Sequence, residues 1–366
     1  MHARGSAGHA GREDRWGTRV KTRVKTRVKM RRSATIGVTA GLVASVVALG
    51  SHAAFSGASP AVVPHAASVP TTIPASKIVS SSTTNQTIGM PKSSLDLAAI
   101  RLGSDKSSTT PKVGYLDRCG GTPSGGPPVT IPPWVNTSTK TWSATSKLAV
   151  AGKVSHKPSF TAKHSGSHEV LTGNGLPARS GTFPVAPSDP TYAYNPDPSS
   201  VFSHSIELSL AYDPKVNATP RCEMGAVGIS VDGIPLLDGF DAGGNDASAV
   251  ETQDVCHGHP NQNFGYHYHS LSPCILSSTA RTHTTQVGWA LDGFGIYVEY
   301  NAKGQLLTDS SLDACHGRTS VVTWEGKKVA IYHYDMTMEF PYTVGCFVGT
   351  AVPRSHATGF GYGGVS

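Results

Sequence analysis

The chain has 366 residues, a formal net charge of +7 at neutral pH and a sequence pI near 9.1. A basic balance of that size suggests nucleic acid, but 11 of the 31 Lys and Arg residues lie in positions 1–32, where only Glu13 and Asp14 oppose them. The remainder holds 20 basic and 22 acidic side chains, so it has no general attraction to phosphate backbones and no nucleic-acid partner is expected.

In chain order, residues 1–29 repeat a Thr-Arg-Val-Lys unit from Thr18 onward and read as a basic, low-complexity extension. Translation from Met30 is expected, because Met30-Arg31-Arg32 followed by an apolar run is an ordinary signal-peptide start. That run, 34–49, is rich in small residues and shorter than the roughly 20 apolar residues a spanning helix needs. Segment 30–53 therefore reads as a signal peptide or, if uncleaved, as a membrane tether through residues 34–50. Either way the protein is expected outside the cytoplasm, secreted or anchored at the cell surface. Residues 54–112 are rich in Ser, Thr, Ala and Pro with few aromatics, and are expected to form a disordered linker because they bury too little apolar surface to offset ordering.

From 113 to 349 the composition changes. Runs rich in Val, Ile, Tyr and Phe at 202–210, 225–231, 287–291, 296–300, 321–324 and 329–334 read as strands. Glu325-Gly326-Lys327 and Asn301-Ala302-Lys303-Gly304 read as turns between them. No stretch shows a sustained helical period. The expected fold is mostly β, a disulfide-stabilised sandwich or barrel-like domain, with 113–224 as its N-terminal part, 225–349 as its chemically distinctive part, and 350–366 as a flexible tail.

Segment 225–349 contains an internal duplication. The first copy runs Val231-Asp232-Gly233-Ile234, Asp254-Val255-Cys256-His257-Gly258, Tyr266-His267-Tyr268-His269 and Pro273-Cys274. The second runs Leu291-Asp292-Gly293-Phe294, Asp313-Ala314-Cys315-His316-Gly317, Tyr332-His333-Tyr334-Asp335, then Pro341 and Cys346. The six cysteines allow about 15 pairings. Equivalent positions should pair equivalently, which gives Cys256–Cys274 and Cys315–Cys346 and leaves Cys119–Cys222. In the competing reading, Cys256 or Cys315 is a thiolate ligand beside its histidine; an oxidising compartment favours the disulfides.

The same landmarks, with Leu291 to Tyr297 and Phe340-Pro341-Tyr342-Thr343-Val344-Gly345-Cys346-Phe347, resemble the YHYH domain family. The resemblance implies an exported protein and carries no established activity. Asp335 departs from the repeat where a second histidine is expected.

On a strand, His267 and His269 project to one side and the tyrosines to the other. Two imidazoles on one face make half of a metal site, and zinc or copper suits such donors. His257 and His259 are the nearest further donors, and His316, His333 and Asp335 form the corresponding second set. The alternative is a hydrogen-bonded polar ladder without metal. Asp232, Asp238, Asp254, Asp292 and Asp313 could orient histidines, although Asp at strand ends more commonly makes turns. The reading is a binding module, with a metal-assisted hydrolase or oxidase and a purely structural cell-surface module as alternatives. No catalytic residue is named.

Overall fold

The computed structural model of the protein describes residues 87, 89–126, 128–223, 225–276, 280–324, 326–353 and 357–360. The extension 1–29, the signal or tether at 30–53 and the linker as far as 86 lie outside the described residues.

Alternating and continuous apolar runs sort the strands into two main sheets. The smaller is built on a hairpin of β1 (Phe160–Ser165) and β2 (His168–Gly173), with β3 (Ile206–Ala211) beside β2. Leu171, Ile206, Leu208 and Leu210 point inward from it, and β3 alternates buried and more exposed positions as a half-covered strand should.

The larger sheet carries β4 (Ala226–Ser230), β5 (Pro235–Leu237), β6 (Gly258–Asn261), β7 (Gly265–Tyr268), β8 (Thr285–Ala290), β9 (Gly295–Val298), β10 (Gly317–Trp324) and β11 (Lys327–Asp335). Their order across the sheet is β6-β7-β5-β4-β8-β9-β11-β10. Read outward from the central antiparallel β4–β8 pair, the two halves repeat the same succession: hairpin partner, parallel neighbour, antiparallel edge strand. The register repeats as well. Leu236 lies opposite Tyr268 and Gly258 opposite Tyr268 in one half; Ile296 lies opposite Tyr334 and Gly317 opposite Tyr334 in the other. β4, β7 and β9 are buried along their whole lengths, and β4 and β9 accordingly read as continuous apolar runs.

The sheet is open, with β6 and β10 at its edges, so the barrel-like form of the expected fold does not occur. Ile229, Leu236 and Ile296 of the larger sheet share one hydrophobic core with Leu171 and Leu208 of the smaller. The three disulfides are Cys119–Cys222, Cys256–Cys274 and Cys315–Cys346, the pairing that the duplication suggests, so no cysteine among them is a thiolate ligand.

Three expectations need correction. The fold begins well before residue 113: Ile100 and Leu102 are buried, and Ile100–Arg101 pairs with Thr141–Trp142. A few well-spaced apolar residues suffice there because a preformed surface receives them. The tail also docks in part, since β12 (Ala357–Thr358) pairs with β3 and Phe360 is buried. Finally, a four-residue helix, α1 (Ala247–Val250), forms where no helical period is legible. One turn is too short to show a period, and its residues are buried on all sides.

Candidate metal centre

The Cys-His-Gly triplets are turns that launch the edge strands. Asp254 Oδ1 accepts the Cys256 amide at 2.7 Å, and the His257 amide donates to Asp254 O at 3.0 Å. Asp313 does the same for Cys315 and His316, at 2.9 and 3.1 Å. His257 and His316 take the left-handed backbone region, with φ of 61° and 69°. Each is followed by a glycine, and a Cβ at Gly258 would collide with the Tyr266 ring. The tyrosines on the opposite face from the strand histidines tie the turns down: Tyr266 donates to Asp254, Tyr268 to Asp232, Tyr332 to Asp313 and Tyr334 to Asp292. These aspartates therefore act as acceptors and turn caps, with Asp254 and Asp292 buried, Asp232 half-buried and Asp313 exposed.

Past the first turn, β6 and β7 place His259 directly opposite His267, so both rings occupy one face, with centroids 4.4 Å apart. His269, just beyond the end of β7, joins them: His267 Nε2 and His269 Nε2 lie 3.2 Å apart. Glu251, the residue after α1, completes the group, with Oε2 at 3.0 Å from His259 Nε2 and 3.1 Å from His269 Nε2. All three histidines are buried.

Each ring turns its Nδ1 outward to an acceptor. His267 donates to Gly265 O at 3.0 Å, His269 to Asp238 O at 2.5 Å, and His259 faces Asp197 Oδ2 at 3.4 Å. In their neutral forms with the hydrogen on Nδ1, the three rings present Nε2 lone pairs to the cluster. Outward hydrogen bonds of this kind fix the tautomer of metal-ligating histidines. His259 Nε2 and Glu251 Oε2 are buried and, though close, are misaligned for a hydrogen bond to each other. The three imidazoles each bring a ligand nitrogen within 4.8 Å of the others, and the Glu251 carboxylate lies beside two of them. Tetrahedral zinc with nitrogen ligands at 2.0–2.1 Å separates its donors by about 3.3 Å, close to the spacings here. The residues fit a metal ion.

In the absence of a metal, a proton on His259 balances the Glu251 carboxylate. Burial pushes the Glu251 carboxyl up, but positive charge on His259 and His269 outweighs it and holds the group well below its usual range. Burial pushes His259 down, yet Glu251 and Asp197 raise it to about 10. Burial, then the charges of His259 and His269, hold His267 well below the ordinary imidazole range. The group sits on the wall of a cleft of about 740 Å³, which Arg118, Asn261, Asn263 and Phe264 also line.

Residues 207–310 match the family model described as YHYH protein, a span that contains this whole cluster. This is a YHYH-domain protein. No curated protein and no solved structure matches the chain.

The matched span ends within the second half of the repeat, before its Cys315-His316-Gly317 triplet and before His333 and Asp335, and there the donors differ. His333 Nδ1 donates to Ile331 O at 3.0 Å, repeating the His267 arrangement, while Nε2 faces Glu299 Oε1 at 2.5 Å and Asp335 Oδ2 at 3.6 Å. Ser320 also donates to Glu299 Oε1, at 2.7 Å. Asp335 is fully buried and neither of its oxygens completes a hydrogen bond. Burial, then the Glu299 charge, pushes its carboxyl well above the usual range, with Arg318 opposing. Burial also pushes Glu299 up, but the His333 and Ser320 hydrogen bonds outweigh it and the carboxyl ends below its usual value.

Of the seven candidate ligands, the structure thus groups His259, His267 and His269 in one cluster and His333 and Asp335 in another. His257 and His316 join neither. Their turn positions direct them elsewhere: His257 Nδ1 donates to Leu271 O at 2.9 Å, and His316 Nε2 lies 3.1 Å from Asp309 Oδ1 and 3.2 Å from Thr337 Oγ1. Both clusters include a glutamate that sequence reasoning missed. Glu299 follows an apolar run at 294–298, and a lone acid there was a usable signal. Glu251 had none, because its place depends on a one-turn helix.

Proposed function

We propose that the protein is an exported binding module that holds one transition-metal ion, zinc or copper, through His259, His267, His269 and Glu251. The gathering of three imidazoles, with a carboxylate beside two of them and every Nδ1 facing an acceptor outside the cluster, carries this reading. A polar ladder would instead alternate donors with acceptors. Three disulfides suit an oxidising compartment. The sequence of 30–53 supplies a signal, or a tether through 34–50, although no helix among the described residues is long and apolar enough to cross a membrane. The near-neutral charge beyond the leader supports a protein without a nucleic-acid partner.

The cleft favours a second reading, metal-assisted hydrolysis or oxidation, since its 740 Å³ is in the range of small-molecule sites. A bound metal would supply a Lewis-acidic centre there. The chain itself positions the donors and limits water to the cleft side. Elemental analysis of the full chain, exported by its host and purified without chelator, tests the binding reading. About one equivalent of zinc or copper is expected, falling to background in His267→Ala. Metal-free protein that also ignores added zinc and copper would leave a purely structural module.

A further inference from the structure

The mirrored order of the larger sheet lets the two clusters be compared residue by residue. His267 and His333 occupy the same register position, and both send Nδ1 to the carbonyl two residues back. His269 corresponds to Asp335, which can still ligate. The counterpart of His259 is different. On the edge strand β6, His259 lies opposite His267; on the edge strand β10, Arg318 lies opposite His333. Directly opposed residues share a face. Arg318 therefore projects toward the second cluster from the position where the first cluster has a ligand.

Arginine cannot replace histidine there. Its guanidinium offers no lone pair and stays protonated at any ordinary pH. It forms no ion pair among the described residues, so its charge is not spent on another partner. Its field reaches both Glu299 and Asp335. Glu299, following β9, and His333 and Asp335, both on β11, otherwise provide three buried donors, one of them a carboxylate with no hydrogen-bond partner.

Building on the reading of the first cluster, we propose that Arg318 restricts the chain to one metal ion. It withholds a ligand from the second cluster and sets a fixed positive charge beside it. The second cluster is a latent site with two carboxylates and one imidazole, and Arg318→His supplies its missing donor. Asp335, although it is the visible departure from the YHYH motif, is not the deciding residue.

Zinc content and calorimetric Zn²⁺ titration of the full-length protein test this. The wild type is expected to bind one equivalent and Arg318→His two. Asp335→His, which keeps the arginine, is expected to stay at one. In Arg318→His combined with His267→Ala, the single remaining equivalent belongs to the second cluster. One equivalent in Arg318→His, two in the wild type, or two in Asp335→His would overturn the role of Arg318. No zinc in the wild type but one equivalent in Arg318→His would remove the first-cluster reading and leave Arg318 as the barrier. If Arg318→His does not fold, Arg318→Gln removes the charge without adding an imidazole. A second, dialysable equivalent is expected then, and its absence overturns the proposal.

Discussion

The metal reading makes a quantitative prediction about His267. This residue is fully buried, and among the described residues its one hydrogen bond besides the His269 contact is donation from Nδ1 to Gly265 O at 3.0 Å. His267→Gln keeps a side-chain amide that can reach the same carbonyl, so the chelator-treated variant should lose only about 1 kcal/mol, the worth of one ordinary hydrogen bond. With free Zn²⁺ at 100 times the dissociation constant, the wild type should gain about 2.7 kcal/mol from binding linkage. For a domain of this size that corresponds to a rise in Tm of roughly 5–11 °C. The variant, having lost a ligand, should show little of it. Thermal melts of both proteins, with chelator and with zinc, close the cycle. A polar ladder predicts the same cost of the substitution under both conditions. A zinc-induced rise below about 1 °C in the wild type, or a rise in His267→Gln equal to the wild-type one, would refute the reasoning.

Three other perturbations probe the frame around the site. Lys147 is buried and donates to Ser248 O at 2.6 Å and Gln253 Oε1 at 2.8 Å, on either side of Glu251. Lys147→Met leaves both acceptors unpaired and should cost about 2–4 kcal/mol in urea unfolding while weakening zinc binding; unchanged binding would detach this lysine from the site. Joint replacement of Cys256 and Cys274 by Ala opens a loop of sequence separation 18 and should cost about 3 kcal/mol. Comparing unfolding midpoints of the oxidised wild type and the variant checks this, and equal midpoints would count against it. Asp292 is raised by burial to about 6 from 3.8, despite accepting from Tyr334 at 2.6 Å. A raised carboxyl contributes stability that is complete below about pH 4 and is lost as pH rises through 6, here by about 3 kcal/mol. Asp292→Asn should thus gain on the wild type between pH 4 and 7 in denaturant titrations, whereas parallel profiles would show that the group does not titrate there.

The sequence revealed what repeats and what is apolar. The runs at 225–231, 287–291 and 329–334 became β4, β8 and β11 within a residue or two at most ends, because β-branched and aromatic residues favour a pleated, partly covered surface. Trp324 and Lys327, which flank the expected turn, do pair with each other. The imidazole pair was legible because strand alternation is a local rule. Residues assembled by tertiary structure were not. His257 and His316 looked like ligands because they stand beside cysteines, but a left-handed turn conformation directs them away. Glu251 could be placed only after the helix bringing it was known. The N-terminal boundary was hidden because Ile100 and Leu102 are too few to suggest a strand on their own.

How Glu251 is held also indicates which part of the chain makes the site. The three histidines lie within the matched span 207–310 and come from a single hairpin and its exit. The segment bearing the carboxylate is fixed from outside it: Trp134 Nε1 donates to Ala249 O at 2.8 Å, Lys147 to Ser248 O, and the Val150 amide to Gln253 O at 2.9 Å. Residues 134–150 therefore set the position of the one ligand that carries negative charge. In the other half Glu299 needs no such bracket, since it continues directly from β9. Two copies of one supersecondary unit have thus obtained their carboxylates from different places while keeping the same strand histidine. The shared part of the design is the imidazole on the inner edge-hairpin strand. Under the metal reading, capacity depends on what each copy added around it, a bracketed glutamate and two further histidines in the first, an arginine and two carboxylates in the second.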